Sequence, residues 1–112
     1  MTKAVEPWQV WYVDFDPTVG REQAGFRPAV VVGTPFACQL DNGLVLLVPC
    51  TTKDRGLVFH PQVTSLPRPT YALCDQVRAT SRERLLRLAT ARICAADIAA
   101  IKFTLRQMID TT

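Results

Sequence analysis

Over the first eighty positions, short β-branched and aromatic runs alternate with Gly, Pro and Asn, and a 3.6-residue period emerges only near the C-terminus. Val10 to Phe15 predicts a first strand, followed by a long connection from Asp16 to Arg27 that carries Pro17, Gly20 and Gly25. Pro28 to Gly33 predicts a second strand, and Pro35 to Asp41 suits one helical turn. Asp41-Asn42-Gly43 then turns the chain into Leu44 to Thr51, a run so uniformly apolar that it predicts a central strand buried on both faces. A polar loop, Lys53-Asp54-Arg55-Gly56, leads to a short predicted strand at Leu57 to Phe59. Pro61, Pro67 and Pro69 keep the next segment irregular or at a sheet edge. Tyr71 to Ala79 predicts another strand. After a charged turn at Ser81 to Arg84, Leu86 to Ile93 alternates apolar with polar; strand and helix compete there, and strand is favoured. Ile98, Ile101, Leu105 and Met108 recur at helical spacing while Lys102, Arg106 and Gln107 stay off that stripe, which predicts an amphipathic helix. Asp97 near its start and Arg106 near its end suit the helix dipole.

Five or more short strands, a long polar first loop and one packing helix point to a small, strongly curved sheet or partly open barrel. With 112 residues and 48% hydrophobic content, one domain over residues 1–112 is expected. A chain of that size buries about two thirds of its unfolded surface. No run approaches the ~18 apolar residues of a membrane helix, and the first residues lack the apolar core of a signal peptide, so a soluble, unexported protein is expected. The four cysteines, at 38, 50, 74 and 94, form no CxxC pair, and His60 is the single histidine, so the usual zinc spacings are absent and no metal is expected. Apolar neighbours around each cysteine predict four reduced core residues in a cytoplasm, with two disulfides as the alternative.

Charge is unevenly placed. Arg78, Arg82, Arg84, Arg87, Arg92, Lys102 and Arg106 face only Glu83 and Asp97, so that stretch is +5 while the rest of the chain sums to −2. Such a stretch suits a polyanion, an acidic peptide, or a merely solvated face.

Specific words of the sequence narrow this range. Trp11-Tyr12-Val13-Asp14-Phe15-Asp16-Pro17-Thr18, continuing through Gly20-Arg21-Glu22-Gln23-Ala24-Gly25-Phe26-Arg27-Pro28 to Val32, closely resembles the N-terminal half of the MazF/PemK toxins. Val48-Pro49-Cys50-Thr51-Thr52-Lys53 through Gly56, and then Asp75-Gln76-Val77-Arg78, resemble the same family in the expected order. The likeness covers roughly residues 8 to 80. It implies a mainly β fold with α, an SH3-like, partly open β-barrel of the CcdB/PemK-like type with a C-terminal amphipathic helix. It also implies a homodimer that cuts single-stranded RNA within a short sequence, needs no cofactor or metal, and is restrained by an antitoxin segment lying over the RNA groove. The family's catalytic Arg falls on Arg27 and its catalytic Thr on Thr51, while Glu22 and Gln23 of the first loop fall beside the groove. Arg21, Thr52, Lys53, Gln76 and Arg78 are the further residues expected to bind RNA or support the site. Trp8, Arg21 and Tyr12 depart from the family's frequent Gly, Ser and Trp, and they bear on the cleavage sequence and the antitoxin partner.

The residues suit that chemistry. RNA carries its own nucleophile, the 2′-hydroxyl, so the protein must supply a proton acceptor, a proton donor for the leaving 5′-oxygen, and donors for the crowded phosphorane. With His60 alone available, a two-histidine mechanism is excluded. Arg27 suits a bidentate clamp on phosphate oxygens better than the role of base, because a guanidinium releases its proton reluctantly. Glu22 is a candidate acceptor; His60, in a turn before Pro61, reads as an exposed or packing residue. Two other readings stay open: a gyrase-poisoning toxin of the same fold, disfavoured because both tryptophans lie near the N-terminus, and a noncatalytic nucleic-acid-binding barrel.

Overall fold

The computed structural model describes residues 3–15 and 26–110. Its six strands are β1 (Val10–Asp14), β2 (Phe26–Val31), β3 (Leu44–Thr51), β4 (Tyr71–Ala72), β5 (Arg78–Ser81) and β6 (Leu85–Leu88), with helices α1 (Pro35–Gln39) and α2 (Ala95–Met108). All pairings are antiparallel: β1 lies between β2 and β6, β2 pairs with β3, and the far side of β3 takes β5 along its first half and β4 at its end. The ladder β5–β3–β2–β1–β6 thus begins and ends on consecutive strands. Four inter-strand steps would separate the ends of a flat ladder by about 19 Å. The connection between them is only the 3₁₀ turn Arg82–Arg84, which rises about 2 Å per residue. The sheet must therefore curl into an open barrel, helped by an irregular register between Tyr12 and Val13 where β1 meets β6.

Strand alternation sends side chains to two separate cores. Trp11, Val13, Phe15, Ala29, Val31, Val45 and Leu47 cluster on one face with Leu85. Val10, Val30, Val48 and Cys50 cluster on the other with Val63, Ala72, Cys74 and Ile101 of α2. Consecutive valines in β2 are all buried because each successive side chain meets a different core. Among the described residues no helix is long and apolar enough to cross a membrane.

Several expectations need correction. The run from Leu44 to Thr51 is a central strand, but Leu44 and Leu46 are each 42% exposed, because only its second half is covered on both faces. No strand forms at Leu57 to Phe59; Gly56 at φ +67° and a bond from the His60 N–H to the Leu57 carbonyl (3.0 Å) make a turn there, leaving Val58 94% exposed. The expected strand from Tyr71 to Ala79 is broken by a 3₁₀ turn at Cys74–Gln76. The registers of β4 and β5 against β3 differ by three residues, and that turn takes up the difference. From Leu86 to Ile93 only the part to Leu88 is strand, in β6. All four thiols are free; Cys38, Cys50 and Cys74 are buried as expected, but Cys94 is exposed because it caps the start of α2. Burial pushes the Cys38 and Cys50 thiols up and lifts Cys74 to about 12.

Candidate active site

Arg27 is the second residue of β2, opposite Val13 of β1 and exposed, with its Nη1 donating to the Phe26 carbonyl at 3.4 Å. Thr51 ends β3 opposite Tyr71, only 7% exposed. Its Oγ1 accepts the Lys53 N–H at 3.1 Å, which leaves the hydroxyl's own proton free to donate. The ladder between β2 and β3 ends at Ala29 opposite Pro49. Carried two residues beyond the ladder, the same register would set Arg27 across from Thr51, and strand alternation gives both the parity of Ala29, Val31 and Leu47.

Arg78 belongs to that face too, since it pairs with Leu47, and its guanidinium stands 5.5 Å from the centroid of the Phe15 ring. Gln76 is half-buried in the 3₁₀ turn just before it, while Thr52 and Lys53 are exposed directly after Thr51. Arg27, Thr51, Thr52, Lys53, Gln76 and Arg78 thus lie on strand ends and turns that meet at β3. Arg21, Glu22 and Gln23 fall outside the described residues, in the connection that leaves β1 after Phe15 and returns at Phe26.

A cavity of about 260 Å³ adjoins this edge, walled by Tyr12, Phe26, Arg27, Thr52 and Arg68 among others. Thr51 is not one of its walls; Arg27 borders both the cavity and the face that carries Thr51. Two arginines and two aromatic rings thus wall one concavity, and the Arg87 guanidinium lies 4.0 Å from the centroid of the Tyr12 ring. Arg68 was not singled out in the sequence. Its signal was the flanking pair Pro67 and Pro69, which stiffen the loop that presents it. Another cavity, of about 580 Å³ and walled by Trp8, Gln9, Arg92 and Ile93 among others, shares no wall residue with this one.

The basic stretch is not one continuous footprint. Arg82 is buried, donating from Nε to the Leu44 carbonyl (2.8 Å), from Nη1 to that of Lys3 (3.2 Å) and from Nη2 to that of Cys38 (2.6 Å). Arg84 donates to the Asp14 carbonyl at 3.2 Å, and Lys102 stands 5.8 Å from the Trp8 ring centroid on α2. His60 is buried, with Nε2 2.9 Å from Asp75 Oδ1 and its ring edge-on to Phe59.

The chain is similar to known proteins in sequence and in fold. "Endoribonuclease MazF9" of Mycobacterium tuberculosis (strain ATCC 25618 / H37Rv) is 34% identical over 112 residues, covering 91% of this chain and 93% of its own. "Endoribonuclease toxin MazF" of Escherichia coli (strain K12) is 49% identical over 70 residues, 62% of this chain; the match spans 61% of the length of that relative. The crystal structure of MazF from Deinococcus radiodurans superposes with a TM-score of 0.81 at 24% identity, covering 95% of this chain and 96% of that one, and so shares the fold. The profile of the PemK-like, MazF-like toxins of type II toxin–antitoxin systems matches residues 6–109, and the chain belongs to that family.

Proposed function

We propose that this protein is a sequence-selective endoribonuclease toxin that cuts single-stranded RNA by attack of the 2′-hydroxyl on the adjacent phosphate, leaving a 2′,3′-cyclic phosphate and a 5′-hydroxyl. The observation that carries the reading is a cavity at the ends of β2 and β3, walled by Arg27, Arg68, Tyr12 and Phe26, with Thr51 ending the neighbouring strand. Cations next to rings suit a single-stranded polynucleotide, whose phosphates need charge and whose bases need stacking surfaces.

In this reading Arg27 clamps the non-bridging oxygens of the scissile phosphate, where its planar fork stabilises charge as the phosphorane forms. It is also the candidate to protonate the leaving 5′-oxygen. The Thr51 hydroxyl, fixed by the Lys53 amide, donates a second hydrogen bond to the same phosphate. Lys53, Arg78, Thr52 and Gln76 hold the flanking nucleotides, and Glu22, beside Arg21 and Gln23, is the candidate acceptor for the 2′-OH proton. No step requires a metal ion or another cofactor. The partners are a cognate antitoxin, whose acidic or amphipathic segment covers the basic rim, and a second copy of the chain. The setting is the cytoplasm, where three buried cysteines stay reduced.

The end chemistry of the products tests this directly. RNA cut by the protein should accept a label from polynucleotide kinase without prior phosphatase treatment, because its new 5′ ends are hydroxyls. Fragments that take the label only after phosphatase treatment would replace 2′-OH attack with hydrolysis by water.

A further inference from the structure

His60 is a ring that packing alone would not select. Its Nδ1 is buried without a hydrogen-bond partner among the described residues, while Nε2 lies 2.9 Å from a carboxylate oxygen of Asp75. A buried nitrogen left bare is unfavourable, and an apolar side chain would fill the space without that penalty. The contact to Asp75 also fixes the tautomer: facing a carboxylate, Nε2 carries the proton and donates it.

What that bond joins explains its presence. Residues 52–59 form no strand, and His60 closes their turn through its N–H to the Leu57 carbonyl. At the head of this loop stand Thr52 and Lys53. Asp75 sits in the Cys74–Gln76 turn, next to Gln76 and three residues before Arg78. The backbone ties nearby lie outside the loop, at Thr51 opposite Tyr71 and at the Ala72 N–H on the Pro61 carbonyl (2.9 Å). We propose that His60 is a positioning residue: through Asp75 it clips the loop bearing Thr52 and Lys53 to the turn bearing Gln76 and Arg78, so that both grip one RNA strand. This rests on the RNA-cleaving reading above, and it assigns His60 no contact with the substrate.

The two ring nitrogens can be tested separately, since a glutamine amide reaches where Nε2 lies and an asparagine amide only where Nδ1 lies. His60→Gln should keep the bond and cut RNA with wild-type KM and kcat. His60→Asn should raise KM about tenfold with kcat little changed, as expected when binding rather than chemistry is loosened. Asp75→Ala removes the same bond from the exposed side and should match His60→Asn, and the double variant should be no worse than either. Without RNA, amide hydrogen exchange at Lys53 and Gln76 should quicken in His60→Asn and Asp75→Ala but not in His60→Gln. Equal behaviour of the Gln and Asn variants, or a wild-type KM in Asp75→Ala, would overturn the proposal. A folded wild type that cuts no RNA would instead overturn the proposed function, and the exchange pattern would still decide whether the clip exists. Should His60→Asn fail to fold, Asp75→Ala carries the test.

Discussion

Arg82 shows how far a residue's charge can mislead when only its type is known. It belongs to the stretch whose +5 balance suits a polyanion, yet its guanidinium faces inward onto the carbonyls of Leu44, Lys3 and Cys38. A guanidinium satisfies three carbonyls at once because its donors fan out in a plane, which a lysine cannot reproduce. Arg82→Ala strands those carbonyls and should destabilise the fold by roughly 3 kcal/mol, seen as a lower denaturation midpoint, with the cleavage rate of the folded fraction unchanged. A shift under about 1 kcal/mol would show that water replaces the guanidinium without loss. Residues whose role is set by a local word, Arg27 before Pro28 and Thr51 after Pro49-Cys50, were legible in the sequence. Arg82 and His60 were not, because the partners of Arg82 lie 38, 44 and 79 residues away and that of His60 lies 15 away, and no local pattern encodes that.

At the scale of elements, α2 was the most readable, since a helix that buries one stripe must repeat it. Its stripe fades at Met108, which is exposed, while Ile101 reaches the core. The first turn is anchored by Asp97, whose carboxylate accepts from Thr64 Oγ1 (2.9 Å), the Ser65 N–H (2.9 Å) and Ser65 Oγ (2.5 Å). Burial alone would raise its pKa, but the bonds from Ser65 and Thr64 outweigh it and hold the carboxyl below its ordinary value. A carboxyl whose folded pKa is depressed adds stability at neutral pH that is lost as pH falls below about 4, the unfolded value. Asp97→Asn should therefore unfold roughly 2 kcal/mol more easily at pH 7, with the gap to wild type closing as acid is added below about pH 4. A gap that stays constant across that range would mean the charge contributes nothing. The break in the expected strand from Tyr71 to Ala79 was unreadable for a different reason: the three-residue offset between β4 and β5 exists only relative to β3.

The whole molecule joins these scales. A ladder that starts and ends on consecutive strands must curl, and curling leaves strand ends and turns around β3 to carry polar side chains above an apolar interior. Fold class was legible because alternating strand signals, turn residues and one terminal stripe leave few arrangements for so short a chain. The cavity beside Arg27 was not, since Tyr12, Phe26 and Arg68 come from three separate segments that only the folded sheet brings together. The most direct test of the account is to incubate the purified protein and its Arg27→Ala variant with a long mixed-sequence RNA in EDTA and to map every new 5′ end. The account predicts cuts at one recurring short motif by the wild type, and cutting slower by roughly a hundredfold or more in the variant. Equal cutting by the folded Arg27→Ala variant would contradict the assigned site, and RNA bound but never cut by the wild type would leave a binding barrel in place of an enzyme.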